Sequence, residues 1–387
     1  MPDASRHARQ LALPGFGAAA QDALGRARVL VIGAGGLGSV LLPQLVGAGL
    51  ATGPGGRLGI VDDDLVEFSN LHRQHLHGTA DVKRSKVDSA AERLRALDPA
   101  VSIVSHRERF TSENALALLA DYDLLVDGSD GFATRYLAAD AATLRGIPLV
   151  WGAVLQYGGQ TGVCPVGGPG YRDLFPAPPA PDAVLDCATG GVLPSVCGVI
   201  GAIMAGQVMT LLTGVGDALI GRVTTYDART GRFRELPFGH DPQAAPVTEL
   251  IDYEQFCGTA PAPPAVEHSA GSVEVSAPEL ARLLEAGTAD GAAVGTDRDA
   301  RPLLLDVREP WEHALTALPG STLIPLGQLP AAIEALPRDR ETIVYCHHGI
   351  RSQDALRQLL AAGVPARHLA GGIDAWSRDV DPAVARY

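Results

Sequence analysis

Apolar runs and amphipathic stretches alternate along the first 150 residues. The predicted strands are short, mostly β-branched runs, at 28–32, 57–62, 101–104, 123–127 and 149–154. The predicted helices are the stretches between them, at 37–50, 83–97, 114–120 and 132–145. This alternation predicts a doubly wound, Rossmann-like α/β fold, with a parallel sheet covered on both faces. Ligands of such sheets bind beyond the carboxyl ends of the strands, where Gly33, Asp62 and residues 127–130 lie.

The pattern changes after residue 154. An apolar stretch predicts a helix at 198–212, and alternation around a turn near Gly231 predicts a hairpin at 221–236. Residues 260–271 are rich in Pro and Ala, which is typical of a flexible linker. Beyond it, Ser276 is a predicted N-cap. The remaining predicted elements form a small second α/β domain, with strands at 301–306 and 342–345 and a helix at 356–362. We therefore predict a first domain over 1–257, a linker over 258–274 and a second domain over 275–387.

Composition limits the classes of partner. The 387 residues are 46% hydrophobic, with a formal charge of −13 and a pI near 5.3. Without a basic stripe, nucleic acid is not expected as a partner. The sequence has no uninterrupted apolar stretch of about 18 residues, so no membrane span is expected. Five widely spaced cysteines indicate a reducing compartment, and we predict a cytoplasmic location.

A glycine-rich segment, GAGGLG at 33–38, follows the first strand and opens the first helix. Gly33 permits a tight turn, Gly35 lets backbone amides approach phosphate oxygens, and Gly38 completes the GxGxxG spacing. Asp62, at the end of the second strand, can accept hydrogen bonds from ribose hydroxyls. This motif alone fits a dinucleotide-dependent dehydrogenase as well as an ATP site.

Charged residues after the second strand discriminate between these two interpretations. A triphosphate requires cations that neutralise the charge developing on the leaving pyrophosphate, and Arg73 and Lys86 suit that task. Asp130, after the fourth strand, can hold Mg²⁺ through carboxylate oxygen. The alternative is that Arg73 and Lys86 are ordinary surface charges, but their combination with the acidic residues favours ATP.

These motifs resemble the MoeB/ThiF family, relatives of the ubiquitin-activating enzymes, over residues 6 to about 256. The matching segments are RHARQLALPGFG, VLVIGAGGLGS, GIVDDDLVEFSNLHRQ, KVDSAAERLRALDP, LVDGSDGFATRY and VWGAVLQYGGQ. The resemblance implies ATP and Mg²⁺ as cofactors, and adenylation of the C-terminal Gly-Gly carboxylate of a small ubiquitin-like protein. It implies an ATP site made of Gly35, Asp62, Arg73, Lys86 and Asp130.

Further site residues follow from the same resemblance. Asp64 and Asn70 are expected to support the ATP site, and Arg9 to reach the phosphates of the other subunit, which implies a homodimer. Many relatives carry two CxxC pairs that hold structural zinc. Here Gly170 and Asp173 stand where one pair would be, and residues 241–247 contain no cysteine. Without thiolates we predict no zinc site.

Two cysteines are candidate catalytic thiols. Cys187 follows a Pro-rich loop, at a position that in relatives can bind the substrate's C-terminus covalently or form a persulfide. The sequence leaves that role and a loop cysteine with no role equally open. Cys164 and Cys197 lie in apolar surroundings and are predicted core residues. Cys346 follows a strand and precedes a helix, so that backbone N–H groups, with Arg351, are expected to favour its thiolate.

The segment Cys346–Arg351 resembles the active-site loop of rhodanese domains. Supporting segments are LLDVRE, IPL and GGIDAW, and the C-terminal DPAVARY resembles the tail of fused MoeB–rhodanese proteins of the MoeZ type. Four residues separate Cys346 from Arg351, one fewer than in related phosphatases, which suits a sulfane sulfur. For Asp306 and Arg308, a buried ion pair that braces the loop is expected over a substrate contact.

Together these features predict an adenylyltransferase fused to a sulfurtransferase. We expect adenylation of a ubiquitin-like sulfur carrier, followed by sulfur transfer from a Cys346 persulfide, with cysteine desulfurase or thiosulfate as donor. Molybdopterin synthesis is the expected pathway, with thiamine, cysteine or tRNA thiolation as alternatives. Other hypotheses are an NAD-dependent oxidoreductase with a rhodanese-like docking module, and an activator that conjugates through a Cys187 thioester.

Overall fold

The computed structural model describes residues 5–178, 190–244, 246–258, 273–286 and 301–385. The chain divides into two compact units, Met1–Pro261 and Ala262–Tyr387. Each unit has a sheet whose strands are mainly or entirely parallel, so the predicted α/β class is confirmed. The linker predicted at 260–271 lies outside the described residues.

Unit 1 is built on a single eight-stranded sheet with the order β3-β2-β1-β4-β5-β6-β7-β8. Its strands are β1 Arg28–Ile32, β2 Arg57–Val61, β3 Ile103–His106, β4 Leu124–Asp127, β5 Leu149–Leu155, β6 Gly158–Cys164, β7 Arg222–Asp227 and β8 Arg232–Pro237. β1 to β5 pair in parallel, and β5 to β8 pair antiparallel. The order of the parallel strands switches between β1 and β4, and a crevice opens there at the strand ends.

Helices cover both faces of this sheet. They are α1 Ala8–Leu11, α2 Gly17–Arg26, α3 Gly38–Gly47, α4 Lys86–Leu97, α5 Ala115–Leu118, α6 Phe132–Arg145, α7 Tyr171–Leu174, α8 Pro194–Thr213 and α9 Tyr253–Phe256. α3, α4 and α8 contribute to the core on one face. α6, α7 and α9 contribute to the core on the other face.

Helix α8 is long and apolar enough to cross a membrane by length and composition alone, with a mean hydropathy of 1.8. It instead packs against β5, β6, α2 and α3 as a core helix. The strands it covers have glycines where it approaches: a Cβ on Gly152 would overlap Met204, and one on Gly159 would overlap Ile200. Close packing of this helix on the sheet therefore depends on those two missing side chains.

Hydrogen bonds to Asp173 join the two segments that lack the zinc-binding cysteines, 170–173 and 241–247. Its buried carboxylate accepts from the backbone N–H of Gly170 at 2.6 Å and of Asp241 at 2.9 Å, and His240 Nδ1 lies 3.2 Å away. Burial raises the pKa of Asp173, but these hydrogen bonds outweigh it and the pKa falls below the ordinary value. An ionised carboxylate thus joins the two loops. Absence of zinc stays a prediction.

We expect Asp173→Asn to destabilise the protein by about 1–3 kcal/mol, because the amide cannot accept all of these bonds. Since the folded pKa is lowered, the carboxylate's contribution is present above the ordinary aspartate pKa. It is lost as pH falls through the folded value. Calorimetric unfolding as a function of pH measures both effects. Exposed Asp241→Asn is the matched control, expected within about 0.5 kcal/mol. Equal stability of the two variants would contradict the role of Asp173.

Unit 2 is a smaller α/β layer structure around a five-stranded parallel sheet of order β11-β10-β12-β13-β9. Its strands are β9 Glu274–Val275, β10 Leu303–Asp306, β11 Thr322–Leu323, β12 Thr342–Tyr345 and β13 Ala366–Leu369. Its helices are α10 Ala277–Ala286, α11 Pro310–Leu315, α12 Leu329–Ala332, α13 Ile350–Ala361 and α14 Gly372–Asp379. Ser276 caps α10 as predicted, accepting from the Glu279 N–H at 3.3 Å.

Candidate active sites

A cavity of about 340 Å³ opens at the carboxyl ends of β1, β2 and β4 in unit 1. This volume is in the usual range for a small-molecule site. Seven residues predicted for the nucleotide site line it: Gly33, Gly35, Asp62, Asp64, Arg73, Lys86 and Asp130. The structure therefore brings these predicted residues together in one crevice.

The turn between β1 and α3 depends on two glycines. Gly33 has φ +92°, a backbone conformation that favours glycine, and a Cβ there would lie 3.1 Å from the Gly128 carbonyl oxygen. A Cβ on Gly38 would overlap the Gly33 carbonyl oxygen. Gly38 is not among the residues that line the cavity, so its contribution is to close the turn tightly.

We expect Gly38→Ala to weaken ATP binding by about tenfold or more, since backbone of the phosphate-facing turn must move to admit the methyl group. Gly47→Ala is the matched control in the same helix, because nothing lies within 4 Å of a Cβ there. That control should bind ATP normally and gain about 0.5–1 kcal/mol in stability. Calorimetric titration with ATP measures the comparison, and equal affinities would refute the role of Gly38.

Acidic residues at the end of β2 are tied to the cavity wall. Asp62 Oδ2 accepts from the N–H of Ala34 at 2.8 Å, and its Oδ1 accepts from the N–H of Asp64 at 2.9 Å. Burial raises the pKa of Asp62, while nearby Lys86 lowers it. The Lys86 side chain is 8% exposed, and its Nζ lies 2.7 Å from Asp64 Oδ2. A buried ammonium group held at the cavity wall suits a polyphosphate ligand.

Behind the glycine turn lie residues that the sequence analysis did not identify. His77 is buried, with Nε2 2.9 Å from the Ala34 carbonyl oxygen and Nδ1 2.8 Å from Ser89 Oγ. Burial lowers the pKa of His77, so the neutral ring donates from Nε2 and accepts at Nδ1. Gln74 is also buried, faces Gly35, and has an Oε1 without a hydrogen-bond partner among the described residues. Gln74 ends the matching segment GIVDDDLVEFSNLHRQ, which gave it no role, and His77 lies outside every matching segment.

Carboxylates on two sides of the cavity could hold Mg²⁺. On one side, Asp130 is exposed at the cavity. On the other, carboxylate oxygens of Asp62, Asp63 and Asp64 lie within 4.8 Å of one another. Magnesium prefers carboxylate oxygens, so this donor set fits the ion. Asp127, at the end of β4, is fully buried and accepts from the Ser129 N–H at 2.9 Å, which shapes the turn before Asp130.

Two predicted residues lie elsewhere, and a third is not described. Asn70 Oδ1 accepts from the Glu67 N–H at 3.3 Å in a short turn, and Asn70 does not line the cavity. Arg9 is exposed on α1 and does not line the cavity. Cys187 lies outside the described residues. The roles of all three stay predictions. Cys197, expected in the core, is 1% exposed and also lines the cavity beside Gly36.

In unit 2, the loop between β12 and α13 encloses Cys346, which is 1% exposed. The N–H of Gly349 donates to Cys346 Sγ at 3.1 Å, as expected of a loop that turns backbone amides toward sulfur. Gly349 adopts φ +102°, and a Cβ there would lie 3.2 Å from the Gly371 nitrogen. The loop therefore depends on glycine at this position.

A chain of polar groups extends behind the thiol. Cys346 Sγ lies 3.6 Å from Ser352 Oγ, which donates to the Gly349 carbonyl oxygen at 2.9 Å. The hydroxyl lies 3.4 Å from Nδ1 of buried His368, whose Nε2 is 3.1 Å from a carboxylate oxygen of Glu274. These contacts connect the buried thiol to partly exposed Glu274 on β9. No local motif records these contacts, because Glu274 and His368 are far apart in the chain.

Arg351 is held by a carboxylate. Its two terminal nitrogens donate to the oxygens of Glu312, both at 2.7 Å, and the Glu312 side chain is 5% exposed. Arg308 and Asp306 are completely buried and make the structural ion pair that was expected, with Nη2 and Oδ2 at 2.6 Å. The Tyr345 hydroxyl also donates to Asp306 at 3.0 Å. These pairs fix the framework around the thiol loop.

Comparison with protein families gives two matches. Residues 7–247 match the ThiF family, and residues 276–379 match the rhodanese-like domain. The first match covers the unit with the glycine turn and the cavity, and the second covers the unit with the Cys346 loop.

Two curated relatives match this chain over nearly its whole length, and a third matches about two thirds of it. The chain is 41% identical to "Probable adenylyltransferase/sulfurtransferase MoeZ" of Mycobacterium tuberculosis, over 100% of this chain and 95% of the relative. It is 39% identical to "Adenylyltransferase and sulfurtransferase MOCS3" of Anopheles gambiae, over 99% and 88%. Sulfur carrier protein adenylyltransferase of Thermus thermophilus is 47% identical over 65% of this chain and 96% of its own length.

Solved structures share the fold of unit 1. The Escherichia coli MccB complex with MccA-N7isoASN aligns with a TM-score of 0.55 at 16% identity, covering 64% of this chain and 75% of that chain. At this identity the likeness concerns the fold alone.

Proposed function

Since the chain belongs to the ThiF family and ends in a rhodanese-like domain, it is an adenylyltransferase joined to a sulfurtransferase, and we propose that it converts the C-terminal carboxylate of a ubiquitin-like sulfur carrier into a thiocarboxylate. The observation that supports this most is the presence in one chain of a cation-lined nucleotide cavity and a thiol enclosed by a backbone loop. Relatives named as adenylyltransferase and sulfurtransferase favour nucleotidyl transfer over hydride transfer.

In the first half-reaction, the carrier carboxylate attacks the α-phosphate of ATP. A carboxylate–phosphorus bond forms, the bond to the β-phosphate breaks, and pyrophosphate leaves. Lys86 and Arg73 face the cavity and would neutralise charge that builds on the leaving group. Asp130 and the acidic residues after β2 would hold Mg²⁺, which neutralises phosphate charge when bound. The glycine turn would orient the phosphates without any strong base.

In the second half-reaction, the Cys346 thiolate attacks the sulfane sulfur of a donor such as thiosulfate or a cysteine desulfurase persulfide. A persulfide forms on Cys346, and sulfite or the desulfurase thiolate leaves. The terminal sulfur of the persulfide attacks the acyl-adenylate and displaces AMP, which gives an acyl disulfide on Cys346. A second thiol then forms a disulfide with Cys346 and releases the thiocarboxylate, and thiol reductants return both cysteines to the reduced state. Cys187 is our candidate for this second thiol, with a free low-molecular-weight thiol as the alternative.

Mass spectrometry of candidate carriers incubated with the protein, ATP, Mg²⁺ and thiosulfate tests this function. We expect a mass gain of one sulfur in place of one oxygen, dependent on ATP. The carrier that responds also decides between molybdopterin synthesis, which we favour, and thiamine, cysteine or tRNA thiolation. A cytoplasmic location is part of the proposal. Unchanged carriers in the presence of detectable pyrophosphate release would refute sulfur transfer.

We also propose that the protein acts as a homodimer in which Arg9 completes the site of the other subunit. Arg9 is exposed and does not line its own cavity, and helix α8 keeps a partly exposed apolar face that includes Ile203 and Met209. Both features are what a subunit interface beside α1 and α8 requires.

Subunit complementation tests the role of Arg9. Arg9→Ala and Lys86→Met proteins should each be inactive in pyrophosphate exchange. After the two are mixed and re-associated, half of the dimers are mixed and each contains one intact site, so about a quarter of the normal activity should return. Re-association without any recovery would refute action of Arg9 across the interface.

A further inference from the structure

The thiol loop presents two consecutive histidines to helix α14. His347 is buried, His348 is exposed, and Asp374 lies in the first turn of the helix. Nitrogen and carboxylate ligand atoms of these three side chains lie within 4.8 Å of one another. The two imidazole rings stack, with centroids 3.8 Å apart and an interplanar angle of 21°. Among the described residues, this is the only cluster of potential metal ligands that contains histidine.

The backbone holds the cluster in place. The N–H of Asp374 donates to the His347 carbonyl oxygen at 3.1 Å, and the N–H of Ile373 donates to the Cys346 carbonyl oxygen at 2.9 Å. Gly372 allows this approach, because a Cβ there would overlap the His347 carbonyl oxygen. The Asp374 side chain is only 12% exposed, and Arg378 lies 3.7 Å from its carboxylate. Two of the three ligands are therefore fixed by packing, and the third is at the surface.

The donor chemistry is that of a transition-metal site. An imidazole nitrogen and a carboxylate oxygen are both ordinary ligands of such ions, and the three side chains bring two nitrogens and one carboxylate together. Two imidazoles with one carboxylate suit Zn²⁺ and its neighbours, whereas Mg²⁺ and Ca²⁺ prefer oxygen ligands alone. Ligands of a tetrahedral Zn²⁺ ion lie about 3.3 Å apart. Rotation of the exposed His348 side chain would close the remaining distance.

We propose that His347, His348 and Asp374 bind a divalent transition-metal ion of the Zn²⁺ class, and that the bound ion blocks sulfur uptake by Cys346. Two of the ligands belong to the loop that encloses the thiol, so an ion that joins them to α14 fixes the loop. A fixed loop resists the opening that a donor needs to reach a cysteine that is 1% exposed. The site goes beyond the proposed function, and its binding is measurable without any carrier or ATP.

Competition with a chromophoric chelator measures the affinity of the protein for Zn²⁺. The protein is full-length and has no histidine tag, and excess Mg²⁺ occupies the sites made of carboxylates alone. His348→Ala and Asp374→Asn should each weaken binding by about tenfold or more. His75→Ala, an exposed histidine in unit 1, is the matched control and should bind like the unaltered protein. Cys346→Ser should also bind normally, since the thiol is not a ligand in this proposal.

Inhibition is measured from the rate at which thiosulfate loads one sulfur onto Cys346. Intact-protein mass spectrometry monitors this loading, in buffer that contains neither chelating thiols nor cyanide. Zn²⁺ should slow loading of the unaltered protein, and chelator should restore it. His348→Ala and Asp374→Asn, each compared with its own rate without metal, should lose that sensitivity in parallel with affinity. Unaltered affinity in both variants, or loss of binding in Cys346→Ser, would overturn the site. Binding that leaves the loading rate unchanged would overturn the proposed block.

Discussion

Cys346→Ala is expected to abolish thiocarboxylate formation from thiosulfate while ATP–pyrophosphate exchange stays within about twofold of normal. In the proposed cycle, Cys346 Sγ is the atom of unit 2 that forms and breaks covalent bonds. Without it, unit 2 cannot accept the sulfane sulfur of thiosulfate. The nucleotide cavity belongs to unit 1, whose core is separate. Mass spectrometry of the carrier and isotope exchange measure the two half-reactions in the same preparation.

Two further variants separate chemistry from packing. Cys346 is buried in the unit 2 core, so Cys346→Ser, which keeps the shape, should be as inactive in sulfur transfer as the alanine variant. Cys257→Ala removes a buried thiol of unit 1, whose pKa burial raises to about 11, and should keep sulfur transfer. Normal thiocarboxylate yield from Cys346→Ser would show that another thiol receives the sulfur.

Lys86→Met is expected to lower pyrophosphate exchange by about 10²–10³-fold, because the cation that neutralises the leaving group is removed from a buried position. Sulfur transfer from thiosulfate to cyanide, which requires only Cys346, should stay within about twofold. The measurement is the exchange rate at saturating ATP, with carrier present.

Lys83→Met is the matched control for this prediction. It removes the same charge three residues away, at an exposed position that does not line the cavity. Its exchange rate should stay within about twofold, since a distant surface charge is screened by salt. Equal losses in both variants would mean that net charge, and not the placement of Lys86, determines the rate.

The sequence predicts the parallel half of the unit 1 sheet well because its strands are short apolar runs, and β1, β2 and β4 end at a glycine or an acid. β3 has no such end signal, and it lies at Ile103–His106, two residues beyond the predicted 101–104. The sequence does not predict β6 or α2. β6 reads GGQTGVC; Gly159 is explained by contact with α8 and Gly162 by contact with Trp151, and no local pattern records either contact. α2 has a weak apolar pattern, and Leu24 is the one large apolar side chain that it buries. Tertiary packing decides both elements.

Within the candidate sites, the sequence predicts the residues of the motifs but not the residues that hydrogen-bond to them. Asp62, Lys86 and Cys346 follow from strand ends and loop spacing. His77 and His368 were missed because each acts through a hydrogen bond to a residue more than fifteen positions away in the chain. Cys197 was assigned to the core from its neighbours, which is right. Its position beside Gly36 in the cavity depends on how α8 meets α3.

The pairing of β9 with β13 also determines when the sulfurtransferase can mature during translation. Glu274 precedes its partner His368 by 94 positions, so the edge strand leaves the ribosome long before the strand it must join. At ordinary elongation rates this delay is about 5–20 s. The surroundings of Cys346 are therefore completed only after β13 has left the ribosome, and the nascent thiol has no assembled pocket in which to accept sulfur until then.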